Sequence, residues 1–274
     1  AGGTALAIGH KTTYQTIGLD EKGNPHLSLL KHAKQMGKST AVICTSSITH
    51  ATPASFIANV KNREQQEDIA KQYLEGYCDI AIGGGADYFK ADKRKDKLDL
   101  PNELRKKGFD VVFSEKDLFE SKSDRIVALL DDNHLQDAKT RGDIMEKSLR
   151  KTLDLMQKNE NGFFIMLEGS KIDMEAHLNK YDSMIEEVLD FERCVKIAFE
   201  FAKANPNTLI VVTADHETGG LTLPAKDNDV KDKWTTLNHT GVPVPIFSFG
   251  MGAENFTGVM QNKDIAKRIL NLMK

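Results

Sequence analysis

Residues 209–220 read LIVVTADHETGG. Five of the first six residues are apolar and three of those are β-branched, which suits a strand buried on both faces. Asp215 and His216 then stand side by side, Glu217 follows, and two glycines close the stretch. A strand built for burial thus delivers an acid, an imidazole and a second acid at its carboxyl end. In open α/β sheets that end is where ligands bind.

The same pattern recurs along the chain. Short β-branched runs at 39–48, 78–85, 109–114, 125–130, 162–169, 208–215 and 244–250 read as strands. Between them, 28–37, 64–76, 143–159 and 184–205 carry apolar residues at helical spacing, and Gly37, Gly76 and Asn205-Pro206 supply stops. The alternation predicts an α/β fold: a mostly parallel central sheet with helices on both faces. Its 274 residues are read as a single α/β catalytic domain over 1–274, with the polar stretch 224–238 as a surface insertion.

Composition narrows the function classes. Hydrophobic residues make up 40% and charged residues 28%, with a net charge of −3, so nothing favours nucleic acid or an anionic membrane. No run approaches the roughly 18 to 20 apolar residues that a membrane span requires. Cys44, Cys78 and Cys194 are scattered in apolar surroundings without CxxC spacing, which reads as buried free thiols.

Four strand ends carry ligand-type residues. His50, Thr52 and Arg63 follow the first run; Glu168, Asp173 and His177 follow the fifth; Asp215 and His216 follow the sixth; His239 precedes the last. Asp173 and His177 are four apart, so on a helix they share one face. Taken alone, that pair reads equally as an exposed i,i+4 contact, and Asp215-His216 as a turn. Gathered at one edge of one predicted sheet, the set suits zinc, which takes imidazole and carboxylate ligands and in catalytic sites keeps one position open. Glu168 and Thr52 add hard oxygens suited to magnesium. Arg63 is read as ending a helical stretch that begins after Pro53, and its planar fork can hold two oxygens of a phosphate or carboxylate. His10, His26, His32 and His134 lack partner ligands nearby in sequence and are read as structural.

TADHETGG, LEGSKIDMEAH, HATPASFIANVKNR and NHTG resemble stretches of the alkaline phosphatases, as do AGGTALAIGHKT and IAIGGGADYF. The resemblance runs essentially from residue 1 to residue 274. It implies an alkaline phosphatase-like fold and hydrolysis of phosphate monoesters by two zinc ions and a magnesium through a phosphoserine intermediate. Asp173, His177 and His239 would bind the first zinc, and Asp215 and His216 the second. Thr52 and Glu168 would hold the magnesium, and Arg63 would grip phosphate. Substrates would be phosphate monoesters, with inorganic phosphate released. A homodimer in the periplasm or secreted is implied by the family alone. A related two-metal phosphodiesterase, sulfatase or phosphomutase, or an inactive metal-binding fragment, stand as alternatives; Arg63 and DHETGG favour the monoesterase.

Two positions depart from common family residues. His50 falls where some relatives carry aspartate and others histidine, and is read as supporting the site. Met174 falls where relatives often carry lysine, histidine or tryptophan. The family's nucleophilic serine sits in a D-S-A-A-G-G-T-A type stretch, and here AGGTA begins at Ala1. The chain is therefore read as the carboxy-terminal portion of such an enzyme, with the nucleophile, the shared metal-binding aspartate and the first strand outside it. On this reading the chain alone has little phosphatase activity and an unpaired, aggregation-prone sheet edge. Because a thioether cannot donate a hydrogen bond, Met174→Lys in the full-length enzyme is expected to tighten inhibition by phosphate; tighter inhibition in the parent would contradict this.

Overall fold

A computed structural model of the chain describes residues 1–226, 229–230 and 232–273, with the side chains of 225, 226, 229 and 230 left aside. The insertion read at 224–238 therefore lies partly outside the described residues, at 227, 228 and 231. In chain order the elements begin with α1 (Gly2–Ile8), α2 (Leu29–Gln35), β1 (Ser39–Ser47), α3 (Ala51–Ile57), α4 (Gln66–Gln72), β2 (Ile80–Gly84) and α5 (Leu100–Lys106). Next come β3 (Asp110–Val112), α6 (Glu115–Glu120), β4 (Ile126–Leu129), α7 (Ala138–Arg141), α8 (Ile144–Met156), β5 (Phe163–Glu168), α9 (Ser170–His177) and α10 (Tyr181–Ala204). The last are β6 (Leu209–Thr213), β7 (Glu217–Thr218), β8 (Ala225–Lys226), β9 (Asp229–Val230), β10 (His239–Thr240), β11 (Ile246–Gly250) and α11 (Asn262–Met273). They form two compact units: Ala1–Gln136 with Asp143–Glu168 and Val259–Lys274, and Asp137–Gly142 with Gly169–Gly258.

The first unit holds a five-stranded sheet in the order β3-β4-β2-β1-β5, every pair parallel. Parallel neighbours need crossover connections, and helices supply them: α3 and α4 between β1 and β2, α8 between β4 and β5. Side-chain caps start other helices of this unit. The Ser28 hydroxyl accepts the Lys31 N–H ahead of α2, Asp99 accepts the Asn102 N–H ahead of α5, and Ser114 accepts the Asp117 N–H ahead of α6. β1, β2 and β4 are buried along nearly their whole length, which is why they read as apolar runs rather than alternating ones.

Because all five strands run the same way, β1, β2, β4 and β5 bring their carboxyl ends to one edge. At the end of β2, a Cβ on Gly84 would lie 2.1 Å from the Asn133 carbonyl oxygen, so only glycine lets the loop after β4 approach. That approach seats His134 beside the end of β1, where its Nδ1 accepts the Ser47 N–H at 3.0 Å.

The second unit departs from the predicted single sheet. Its long strands β6 and β11 pair antiparallel, from Ile246 opposite Thr213 to Gly250 opposite Leu209. The described residues between them contain no helix, and antiparallel neighbours need no helical crossover. α10 packs on this pair and on α9. A buried ion cluster fastens α7 to α10: Arg141 Nη1 donates to Glu187 Oε1 at 3.0 Å and its Nη2 to Asp190 Oδ2 at 2.5 Å. Glu187 Oε1 also accepts the Ala138 N–H at 2.9 Å, and Arg193 reaches Asp190 Oδ1 at 2.8 Å. Glu187 and Asp190 lie three apart and share one face of α10.

Removing Glu187 leaves the buried Arg141 only the Asp190 carboxylate, which it shares with Arg193, and strips the Ala138 N–H of its acceptor. Glu187→Ala is expected to destabilise the chain by about 3–5 kcal/mol, read as a lowered urea midpoint. A loss below about 1 kcal/mol, the range of exposed pairs, would contradict the clamp.

Candidate metal centre

In the second unit, Asp215 and His216 follow the end of β6, and β7 begins at the next residue. β7 pairs with β10, placing His239 opposite Thr218 and Thr240 opposite Glu217. This two-residue ladder brings the His216 and His239 rings into a stack, with centroids 3.5 Å apart and planes at 22°. Across from them α9 presents Asp173 and His177 from successive turns of one face.

The ligand atoms converge. His177 Nε2 lies 3.4 Å from Asp173 Oδ1 and 3.0 Å from His239 Nε2, and His239 Nε2 lies 3.7 Å from Asp173 Oδ1. Zinc bonds of 2.0–2.1 Å in tetrahedral geometry hold ligand atoms about 3.3 Å apart. The triangle therefore fits a zinc-sized cation with one coordination position open. Ligand atoms of Asp173, His216 and His239 also lie within 4.8 Å of one another, and Asp215 Oδ2 is 3.4 Å from His216 Nε2. All five second-unit ligands expected from the sequence thus fall in one cluster.

Two contacts set the imidazole tautomers. The Leu237 carbonyl lies 2.6 Å from His177 Nδ1 and can only accept, so the proton sits on Nδ1 and Nε2 carries a lone pair. Thr218 Oγ1 lies 2.5 Å from Asp173 Oδ1 and 3.3 Å from His216 Nδ1. An ionised carboxylate only accepts, so the hydroxyl donates to Asp173 and receives the His216 Nδ1–H. His177 and His216 both present Nε2 lone pairs, the form a metal ligand needs. Burial first, and the neighbouring His216 next, lower the His239 pKa below its ordinary value, which favours the neutral ring.

The first unit holds Arg63, His50, Thr52 and Glu168, while Met174 lies on α9 in the second. Arg63 was expected to end a helical stretch, but α3 stops at Ile57 and Arg63 stands in a turn. Ala58 is extended and Val60 bridges to Ile17, which ends the helix six residues before Arg63. The Arg63 N–H donates to the Gln15 carbonyl at 2.8 Å, fixing the turn. Its Nη2 donates to His50 Nε2 at 2.9 Å, the only direction open between a guanidinium and an imidazole nitrogen. His50 is the residue that caps the start of α3, and Thr52 lies in that helix's first turn. An open cavity of about 230 Å³ is lined by His50, Arg63, Tyr88, Asn133 and His134. Glu168 ends β5 opposite Cys44 of β1. Burial, then the Glu168 carboxylate, push the Cys44 thiol well up, and all three cysteines are buried and outside any disulfide.

Three participants were not read from the sequence. Thr218 lies inside DHETGG, two residues after His216, where a hydroxyl beside a ligand is a usable signal. His134 closes a DDNH run just past β4, a strand-end position of the kind already weighed. Leu237 acts through its backbone, which no residue type announces.

The alkaline phosphatase family profile matches residues 1–233. The chain belongs to the alkaline phosphatase family. It is 33% identical to Alkaline phosphatase 4 of Bacillus subtilis (strain 168), in an alignment taking in 100% of this chain and 76% of that protein. A TAB5 alkaline phosphatase mutant with magnesium bound superposes with a TM-score of 0.94 at 34% identity, over 99% of this chain and 82% of the other. The alkaline phosphatase from the Antarctic bacterium TAB5 gives 0.91 at 34% identity, over 99% and 83%. Alkaline phosphatase family and fold together support phosphomonoester hydrolysis.

Proposed function

We propose that this chain supplies metal ligands and a phosphate grip for hydrolysis of phosphate monoesters through a phosphoserine intermediate. The observation that carries the reading is the Asp173–His177–His239 triangle, with the His177 proton tied off on the far side by the Leu237 carbonyl. Asp173, His177 and His239 hold a first zinc, Asp215 and His216 a second, and Thr52 with Glu168 a magnesium. When bound, the ions supply Lewis acidity that activates the attacking oxygen and stabilises charge on the leaving one.

The chain's own residues do the rest. Asp173 contributes negative charge against the cations, oriented by the Thr218 hydroxyl. Arg63 grips two non-bridging phosphate oxygens, stabilising charge that builds on them in the transition state. His50 accepts from one guanidinium nitrogen and so fixes the direction of the fork. Met174 offers no donor to the bound phosphate. Monoesters suit this arrangement because they leave more terminal oxygens for the arginine than diesters do. No described helix is long and apolar enough to cross a membrane. By family likeness the working form is a homodimer, periplasmic or secreted.

Calorimetric titration of the zinc- and magnesium-loaded chain with inorganic phosphate, sulfate and dimethyl phosphate tests the reading. Phosphate is expected to bind most tightly, and Arg63→Ala to weaken it about ten- to hundredfold, the worth of a charged hydrogen-bonded contact. Unchanged phosphate affinity in Arg63→Ala would remove the arginine from the site. Preference for dimethyl phosphate would point to a diesterase.

A further inference from the structure

We propose that residues 232–238 form a positioning strap, in which Trp234 seated on Gly219 holds the Leu237 carbonyl against His177 and so selects the nitrogen that His177 turns toward Asp173. The carbonyl lies 2.6 Å from Nδ1 and cannot donate, so Nδ1 carries the proton. A free neutral imidazole favours the opposite tautomer, with the proton on Nε2. In that form Nε2–H would point at the Asp173 carboxylate, 3.4 Å away, and close the triangle with a proton instead of a lone pair.

Burial does not hold the carbonyl in place, because Leu237 and the following Asn238 are exposed. The anchors are specific. A Cβ on Gly219 would lie 2.4 and 2.5 Å from two carbons of the Trp234 ring, so the indole rests directly on the glycine backbone. Gly219 has φ +89, in the left-handed region that favours glycine. Its N–H donates to the Asn238 carbonyl at 2.9 Å, and its carbonyl accepts from Thr235 N at 3.0 Å and Thr236 N at 3.2 Å. Trp234 Nε1 donates to Asp232 Oδ2 at 2.7 Å. The Asn179 amide, turned to present its nitrogen, donates to the Thr236 and Ala176 carbonyls at 3.0 Å each and ties the strap to the end of α9.

The strap and the ligands therefore share one stretch of backbone. Gly219 follows Thr218, which pairs with His239 and donates to Asp173. Trp234 is a positioning residue acting through Leu237 and His177. The tautomer follows from contacts in this chain; its consequence for metal affinity rests on the proposed metal centre.

The test uses the whole chain, metal-free and at a pH where imidazoles are neutral, with long-range ¹H–¹⁵N correlations of His177. The parent and Trp234→Phe are expected to show the proton on Nδ1; Trp234→Ala is expected to populate the Nε2–H form. Gly219→Ala, which keeps the chain's single tryptophan, is expected to show the same tautomer change with red-shifted tryptophan fluorescence. Zinc affinity, measured against a chromophoric chelator, is expected to fall about 10–100-fold in Trp234→Ala and to recover in Trp234→Phe. Trp234→Ala retaining both the Nδ1–H form and parental zinc affinity would overturn the strap. A parent that takes no zinc, yet loses the Nδ1–H form on Trp234→Ala, would uphold the strap and overturn the metal reading.

Discussion

Two imidazole protons, on Nδ1 of His177 and Nδ1 of His216, decide what the second unit can do. Each is held by an oxygen on the side away from the cluster, the Leu237 carbonyl and the Thr218 hydroxyl. The Nε2 lone pair of His177 then faces the Asp173 carboxylate, and that of His216 the Asp215 carboxylate. Converging acceptors repel one another, and such an arrangement persists where the surrounding hydrogen bonds over-determine it. Here those bonds come from backbone and from a threonine, groups that do not titrate.

The two units reach their sites by different routes. In the first, a parallel sheet sends several strand ends to one edge, and the residues that matter follow those ends: His50 after β1, His134 after β4. The Gly84 contact with Asn133 sets how close those ends come. In the second, a two-residue antiparallel ladder does the placing. Thr218 opposite His239 is a register statement, and a slip of one residue would turn His239 to the other face. Leverage of this kind makes the short ladder more consequential than its length suggests.

Much of this was legible in the sequence. All seven runs chosen for β-branched residues contain strands: β1, β2 and β4 are buried along nearly their whole length and must be apolar, while β11 alternates half-buried with exposed residues. The long amphipathic helices α8 and α10 were equally plain. Some helices escaped: the short α1, α5 and α6 and the twelve-residue α11 were not marked, and α3 was extended too far, to Arg63. Six or seven residues make barely two turns, so periodicity registers unevenly at that length: α2 and α4 were read, α1, α5 and α6 were not. The single-sheet expectation failed at β6 and β11 because strand direction depends on the connection, and 214–245 carries site residues where a crossover helix would have been. The metal cluster was visible as residue types at strand ends. Its proton arrangement was not, since a backbone carbonyl at Leu237 and a half-buried ring at Trp234 have no residue-level signature.

Metal content tests the central claim most directly. The chain would be loaded with zinc, dialysed exhaustively and assayed by elemental analysis beside a variant with both Asp173→Ala and His239→Ala. The account predicts about one equivalent of zinc or more retained by the parent and background zinc in the variant. Background zinc in a folded parent, or equal zinc in both, would contradict it.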